Sequence, residues 1–407
     1  MENKNTIIGI IALIIGATGL GLGVFSNINP LLIEGPPGND GVDGIDGEDA
    51  PGYYCNSGVE LQQYLDSIGS GFGNIIINKS FVLTQTIQIN GGGSYIIQGQ
   101  GAVTTIEIGG DWSAFDITNT ASCVIKHLKI DSSNNGYSTS IINIDEISNN
   151  PVYIEKLQII GDIDLYGYGI QIASRNVKVS DCHFTAINTG IIILGSFNTI
   201  VNNLIRNSQY GIQIFGSNNT INDNTLYMIQ YTGILLSNSF SSCNNNKISR
   251  NFISNFEFHG ISLEGSNFTV ISENQISSYE IFGIKLVNCH TNVLSGNQIF
   301  DGKNDGITIQ NGDYNVITGN LITNISRNDI VSFVGLELWD DSDFNLITGN
   351  GIYNCINNGT GFGYGIQILS STSEENTVIG NTALNNDVNW VDGGTNTFGD
   401  GTNNNFS

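Results

Sequence analysis

Positive charge is scarce in this chain: 13 Lys or Arg stand against 37 Asp or Glu, a formal net charge of -24. That balance repels phosphate backbones, so no nucleic-acid partner is expected, and it suits a soluble surface in a cation-rich medium. Two methionines and four scattered histidines cannot form the soft or imidazole cluster that copper prefers. Six cysteines stand at 55, 123, 182, 243, 289 and 355, with no Cys-x-x-Cys pair. Cys243 and Cys289 hold matching places two repeats apart, roughly 9–10 Å at strand spacing, too far to bridge. Isolated buried thiols are expected. Long helical patterns are also missing after residue 68.

What replaces them is repetition. A Gly-Ile-x-Ile phrase or a close variant starts at Gly169, Gly190, Gly211, Gly233, Gly260, Gly283, Gly306, Gly335 and Gly365, at spacings of 21 to 30 residues. In step with it recur Asn203, Asn224, Asn251, Asn274, Asn297, Asn320, Asn350 and Asn381. Units this short cannot bury their own aliphatics, so neighbours must stack. Alternation sends every second residue inward, glycine permits a tight corner, and the asparagines can form an internal hydrogen-bonded ladder. The pattern predicts an all-β, right-handed parallel β-helix solenoid of roughly a dozen turns over residues 53–407.

Upstream, four short stretches precede the repeats. Residues 1–5 form a cytoplasmic N-terminus carrying Lys4. Residues 6–26, uncharged from Thr6 to Phe25, are long enough for a transmembrane helix, and the acidic residues beyond place the body outside the cell. A cleaved signal peptide is the rival interpretation of the same run. Residues 27–52 hold five Gly-x-y triplets from Gly35 to Asp49, a collagen-like acidic stalk that is either a flexible spacer or the core of a homotrimer. Residues 57–68 predict a capping helix, with Ser57 and Glu60 at capping-box spacing. A cap is required because a stack of strands otherwise ends in an open apolar face.

The segment from Glu60-Leu61-Gln62 to Ile97-Gln98-Gly99-Gln100-Gly101 resembles the capped first coils of the pectate-lyase-like superfamily. The phrase Asn198-Thr199-Ile200-Val201-Asn202-Asn203 through Gly211-Ile212-Gln213-Ile214, with its copies, is similar to repeats of the periplasmic copper-binding family of nitrous-oxide reductase maturation and of archaeal surface proteins. The resemblance spans about Ser57 to Phe398. It implies action on, or binding of, long polysaccharides along one outward face; these repeats also serve as inert scaffolds.

Residues outward on that face and rich in ring or hydrogen-bonding surface are candidates for carbohydrate contact: Tyr168, Tyr210, His259, Phe282, Trp339 and Tyr364. Asp305 and Glu337 are the candidate carboxylate pair for glycoside hydrolysis, on different strand positions. Asp340, Asp341 and Asp343 are calcium candidates. The long coils around 325–333 and 356–363 add loops on one edge, where solenoids commonly wall a site. Asn304-Asp305-Gly306, Asp340-Asp341 and His259-Gly260 look like fragments of polygalacturonase motifs. Their order differs from that family's, and its terminal Arg-x-Lys is absent. Arg327 is the only arginine near the acidic patch. Six Asn-x-Ser/Thr sequons, at Asn78, Asn218, Asn267, Asn324, Asn358 and Asn405, are potential glycan acceptors. The expected role is a membrane-anchored, cell-surface protein for structure or adhesion through carbohydrate contact. The alternatives are a polysaccharide lyase or inverting glycoside hydrolase, and an envelope scaffold without ligand.

Overall fold

A computed structural model describes residues 52–133, 140–145, 150–163, 167–327, 331–395, 397–398 and 404–406. The proposed anchor and all five Gly-x-y triplets lie outside the described residues. Among the described residues no helix is long and apolar enough to cross a membrane.

The body is a parallel β-solenoid. One 14-stranded sheet takes one short strand from each coil, from Tyr53–Cys55 to Thr377–Ile379, which makes about 13 coil-to-coil steps. A 24-stranded sheet takes the other two strands of each coil, folding around a corner between them. The coil after Thr199–Val201 illustrates this: Leu204–Ile214 runs through the corner, where Asn207 has φ 52°. Inward residues stack in register. Ile170, Ile191, Ile212, Ile234, Ile261, Ile284, Ile307, Leu336 and Ile366 are successive Cα partners, and all are fully buried. Each such side chain contributes roughly 1.5–3 kcal/mol relative to exposure.

A helix, α1 (Gly58–Ile68), packs Leu61 and Leu65 into the core at the N-terminal end. Ser57 Oγ accepts from Glu60 N, and Glu60 Oε2 accepts from Asn56 N, so the turn is closed at both levels. At the other end Trp390 and Phe406 stack with centroids 5.4 Å apart, partly covering the last coil.

The glycines of the Gly-Ile phrase have a different reason for being glycine than the one read from sequence. Their φ values lie outside the left-handed region. Instead, a Cβ on Gly260 would sit 2.6 Å from the carbonyl oxygen of Gly283 one coil on, 2.6 Å from Ile276 Cγ2 and 2.9 Å from Phe256 Cζ. The clash repeats along the column, from Gly169 against Gly190 O at 2.5 Å to Gly335 against Gly365 O at 2.8 Å. Gly260→Ala is therefore expected to cost about 1–3 kcal/mol by overpacking, read as a lower guanidinium midpoint by circular dichroism. An unchanged midpoint would contradict this account.

Two buried amide ladders run through the later coils, from Asn198 and Asn203 onward. In the first, Asn274 Nδ2 donates to Ile248 O (3.0 Å) and to Asn297 Oδ1 (2.9 Å), while its N–H donates to the same oxygen (3.1 Å). The pattern continues from Asn203 to Asn381. A second ladder, not singled out from sequence, stands five residues earlier in each coil: Asn198, Asn219, Asn246, Thr269, Asn292, Asn315, Asn345 and Asn376. Its signal was available in that constant offset, with threonine interrupting once. All six cysteines are free and buried, as isolated thiols.

Candidate functional site

The residues before each Gly-Ile glycine line up as Cα partners from Tyr168 through Thr189, Tyr210, Thr232 and His259 to Phe282. Three of them, Tyr210, His259 and Phe282, form part of an unbroken run of rings. Tyr210 and Tyr231 centroids are 5.3 Å apart, Tyr231 and Phe258 5.4 Å, Phe258 and His259 6.2 Å, and His259 and Phe282 5.2 Å. Lys285 Nζ closes the run 4.6 Å from the Phe282 centroid, within cation–π range. Tyr231 and Phe258 escaped the sequence analysis. They sit one residue earlier than the column, and only the corner geometry turns them beside it. The sequence signal is that two successive repeats carry bulky rings in that place.

His259 is held neutral within this run: burial first, then the Lys285 charge, push its pKa down to about 4. Its Nδ1 has no hydrogen-bond partner among the described residues. The other ring candidates fall elsewhere. Tyr168 is two coils before Tyr210, with buried Thr189 between them. Tyr364 pairs with Val334 and lies 6.1 Å from Phe362, and Trp339, paired with Gln310, is exposed.

Beyond Phe282 the face turns acidic, and it is more closed than alternation suggests. Asp305 and Glu337, read as outward from alternation, are 9% and 7% exposed, and Thr308 between them is fully buried. Thr308 is the Cα partner of Glu337, and its hydroxyl lies 3.5 Å from Asp305 Oδ2, the outer limit of a hydrogen bond. Asp305 Oδ1 accepts from Val334 N at 2.8 Å. The two acids thus occupy adjoining coils of one patch. Desolvation, then the charges of Asp305 and Asp340, push the Glu337 carboxyl from 4.5 up to about 8. Beneath lies Tyr279, whose buried hydroxyl has no partner among the described residues.

Glu337 therefore ties stability to pH. The folded state holds this proton more tightly than the unfolded state, so its contribution is complete below about 4.5 and is lost as pH rises through about 8. Glu337→Gln is expected to raise the melting temperature more at pH 8.5 than at pH 5, measured by circular dichroism. Equal shifts at both pH values would contradict the assignment.

The two long loops meet beside this patch. Ser326–Arg327 pairs in parallel with Ile356–Asn357, and Asp387 Oδ2 accepts from Asn357 N (2.7 Å) and Gly363 N (2.8 Å). The side chain of Arg327 lies outside the described residues. Asp340 and Asp341 line a groove of about 400 Å³ with Gln310, Asn288, Asn311 and Thr372. Asp340 Oδ2 accepts from Gln310 Nε2 at 2.8 Å. Asp343 is used differently: its Oδ1 accepts from Glu374 N, and its own N–H donates to Asp313 Oδ1. Among the described residues no three His, Cys, Asp or Glu side chains converge as a metal site.

A right-handed β-helix region matches residues 189–352, and the periplasmic copper-binding protein NosD matches residues 73–258. No curated protein matches the chain. Among solved structures, the periplasmic alginate epimerase AlgG is similar at 14% identity and TM-score 0.57, over 79% of this chain and 82% of that one. The A-module of Azotobacter vinelandii mannuronan C-5 epimerase AlgE4 aligns at 11% identity and TM-score 0.55, over 72% and 90%. Tailspike protein 3 of bacteriophage CBA120 aligns at 12% identity and TM-score 0.56, over 85% of this chain and 57% of that one. At these identities the likeness is one of fold. Against a copper site, the cysteines are buried singly and the histidines join no cluster of ligands, so the described residues do not fit that metal.

Proposed function

We propose that this protein contacts polysaccharide along the Gly-Ile face, as a surface-structure or adhesion protein. The observation that carries this is the ring run from Tyr210 to Phe282. Sugar rings offer C–H faces to aromatic surface and hydroxyls to amides, and this run is held in place by its own ring contacts before any ligand arrives. Solved relatives named for alginate or mannuronan epimerisation support a glycan as the partner class. In this proposal residues 6–26 anchor the chain, the acidic Gly-x-y stretch spaces or trimerises it, and the solenoid faces outward. Calcium near Asp340 and Asp341 would be an accessory to that contact.

A second possibility rests on one observation, the proton that Glu337 keeps near neutral pH beside Asp305. A carboxyl of that kind can act as general acid toward a glycosidic oxygen. The two are separated by a glycan-array screen on the full chain, with and without calcium, followed by mass spectrometry of any hits. Binding without product is the expected result. Cleavage that disappears in Asp305→Asn and Glu337→Gln would instead establish an enzyme, and silence on every glycan would leave a scaffold.

A further inference from the structure

The same face carries different chemistry at its N-terminal end. Gln88, Asp116, Asn143 and Gln171 are Cα partners on four successive coils. Asn143 Nδ2 donates to Asp116 Oδ1 at 2.9 Å, and Gln171 Nε2 donates to Asn143 Oδ1 at 3.1 Å. The backbone at Gln88 is gripped from α1: its N–H donates to Gln62 Oε1 (2.7 Å), and its carbonyl accepts from Gln62 Nε2 (3.1 Å). These side chains floor an open groove of about 380 Å³, lined also by Thr86, Ser113, Ser140 and Tyr168. Among the described residues the lining holds one carboxylate and no Lys, Arg or His.

We propose that this groove is a second glycan subsite, selective for an uncharged oligosaccharide. The inference rests on the Gly-Ile face being the polysaccharide surface, and it deepens that proposal by naming a ligand class. Three features carry it. Asn143 and Gln171 each spend one amide N–H on the preceding coil, and among the described residues the second N–H of each has no partner, so donors and acceptors are fixed but not exhausted. Coils advance ~4.8 Å, close to the advance of one sugar unit in an extended chain, so successive units meet successive polar groups. A uronate in the groove would face Asp116 with no cation among the described lining residues to offset it, against a chain of net charge -24.

The test is calorimetric titration of the full chain with cellotetraose, mannotetraose and a galacturonate tetramer. Asn143→Ala with Gln171→Ala is expected to weaken a neutral tetrasaccharide at least tenfold, and the galacturonate tetramer to bind at least tenfold more weakly than the neutral ones. Ser113→Trp, which adds bulk to the groove lining and leaves the amide residues themselves in place, should give the same loss if the double variant folds poorly. Neutral binding unchanged by both variants but abolished by Tyr231→Ala with Phe282→Ala would overturn the second subsite and leave the ring run standing. Loss in the groove variants with no effect of the ring variants would support the subsite and remove the ring run from the proposal. Binding of the galacturonate tetramer as tightly as the neutral ones would overturn the selectivity, and no binding of any of the three would overturn both.

Discussion

Replacing Asn297 with alanine is expected to lower the stability of the solenoid by about 3–5 kcal/mol, because at least two buried polar groups lose partners at ~1–3 kcal/mol each. Asn297 is fully buried, and its amide serves both adjoining coils. Nδ2 donates to Ile271 O and to Asn320 Oδ1, each at 2.9 Å, while Oδ1 accepts from the backbone and side-chain nitrogens of Asn274. Truncation removes the acceptor of both Asn274 donors where water cannot reach, and takes one donor from the Ile271 carbonyl. Asn297→Asp should be at least as damaging, since an oxygen would then face two acceptors. The measurement is a guanidinium titration followed by circular dichroism. Lys303→Ala is the control: it breaks an exposed ion pair with Glu280, more than half solvated on both sides, and should leave the midpoint in place. An Asn297→Ala midpoint equal to that of the control would mean that the ladder is decorative.

Polysaccharide affinity should fall about 100-fold when Tyr231 and Phe282 are both replaced by alanine, roughly tenfold or ~1.4 kcal/mol for each ring. Tyr231 touches Tyr210 on one side and Phe258 on the other, so its removal breaks the run at its centre. Phe282 joins His259 to Lys285, so its removal also frees the ammonium. Both side chains are half-buried, which keeps the fold intact and confines the loss to the surface. Tyr231→Phe should retain most of the affinity if stacking, not the hydroxyl, is the contact. Titration calorimetry with a polysaccharide identified on the array reads this directly. Full affinity in the double variant would eliminate the ring run as the binding surface. Because His259 is already neutral above about 4, its own titration should add no step to binding between pH 5 and 8.

How much of this was legible beforehand follows from what a repeat encodes. A phrase returning every 21 to 30 residues, with Ile alternating and Asn at a constant place, specifies strands that must stack. From that alone came the parallel solenoid, the inward isoleucine columns, the asparagine column and the isolated cysteines. Alternation states which way a side chain leaves the strand; it does not state what the next coil lays over it. So alternation read Asp305, Thr308 and Glu337 as outward, but their burial, and the proton that Glu337 keeps, came only from stacking at ~4.8 Å under neighbours of unequal size. The same limit hid Tyr231 and Phe258, which reach the ring run through a corner rather than through strand periodicity. It also hid the use of Asp343, whose carboxylate is bonded to a backbone N–H one coil away. Sequence by itself determined the period and its faces, because periodicity is a local property of the chain. Which residues meet across coils was decided by tertiary register, because insertions of one to nine residues shift every later neighbour in sequence while leaving it adjacent in space.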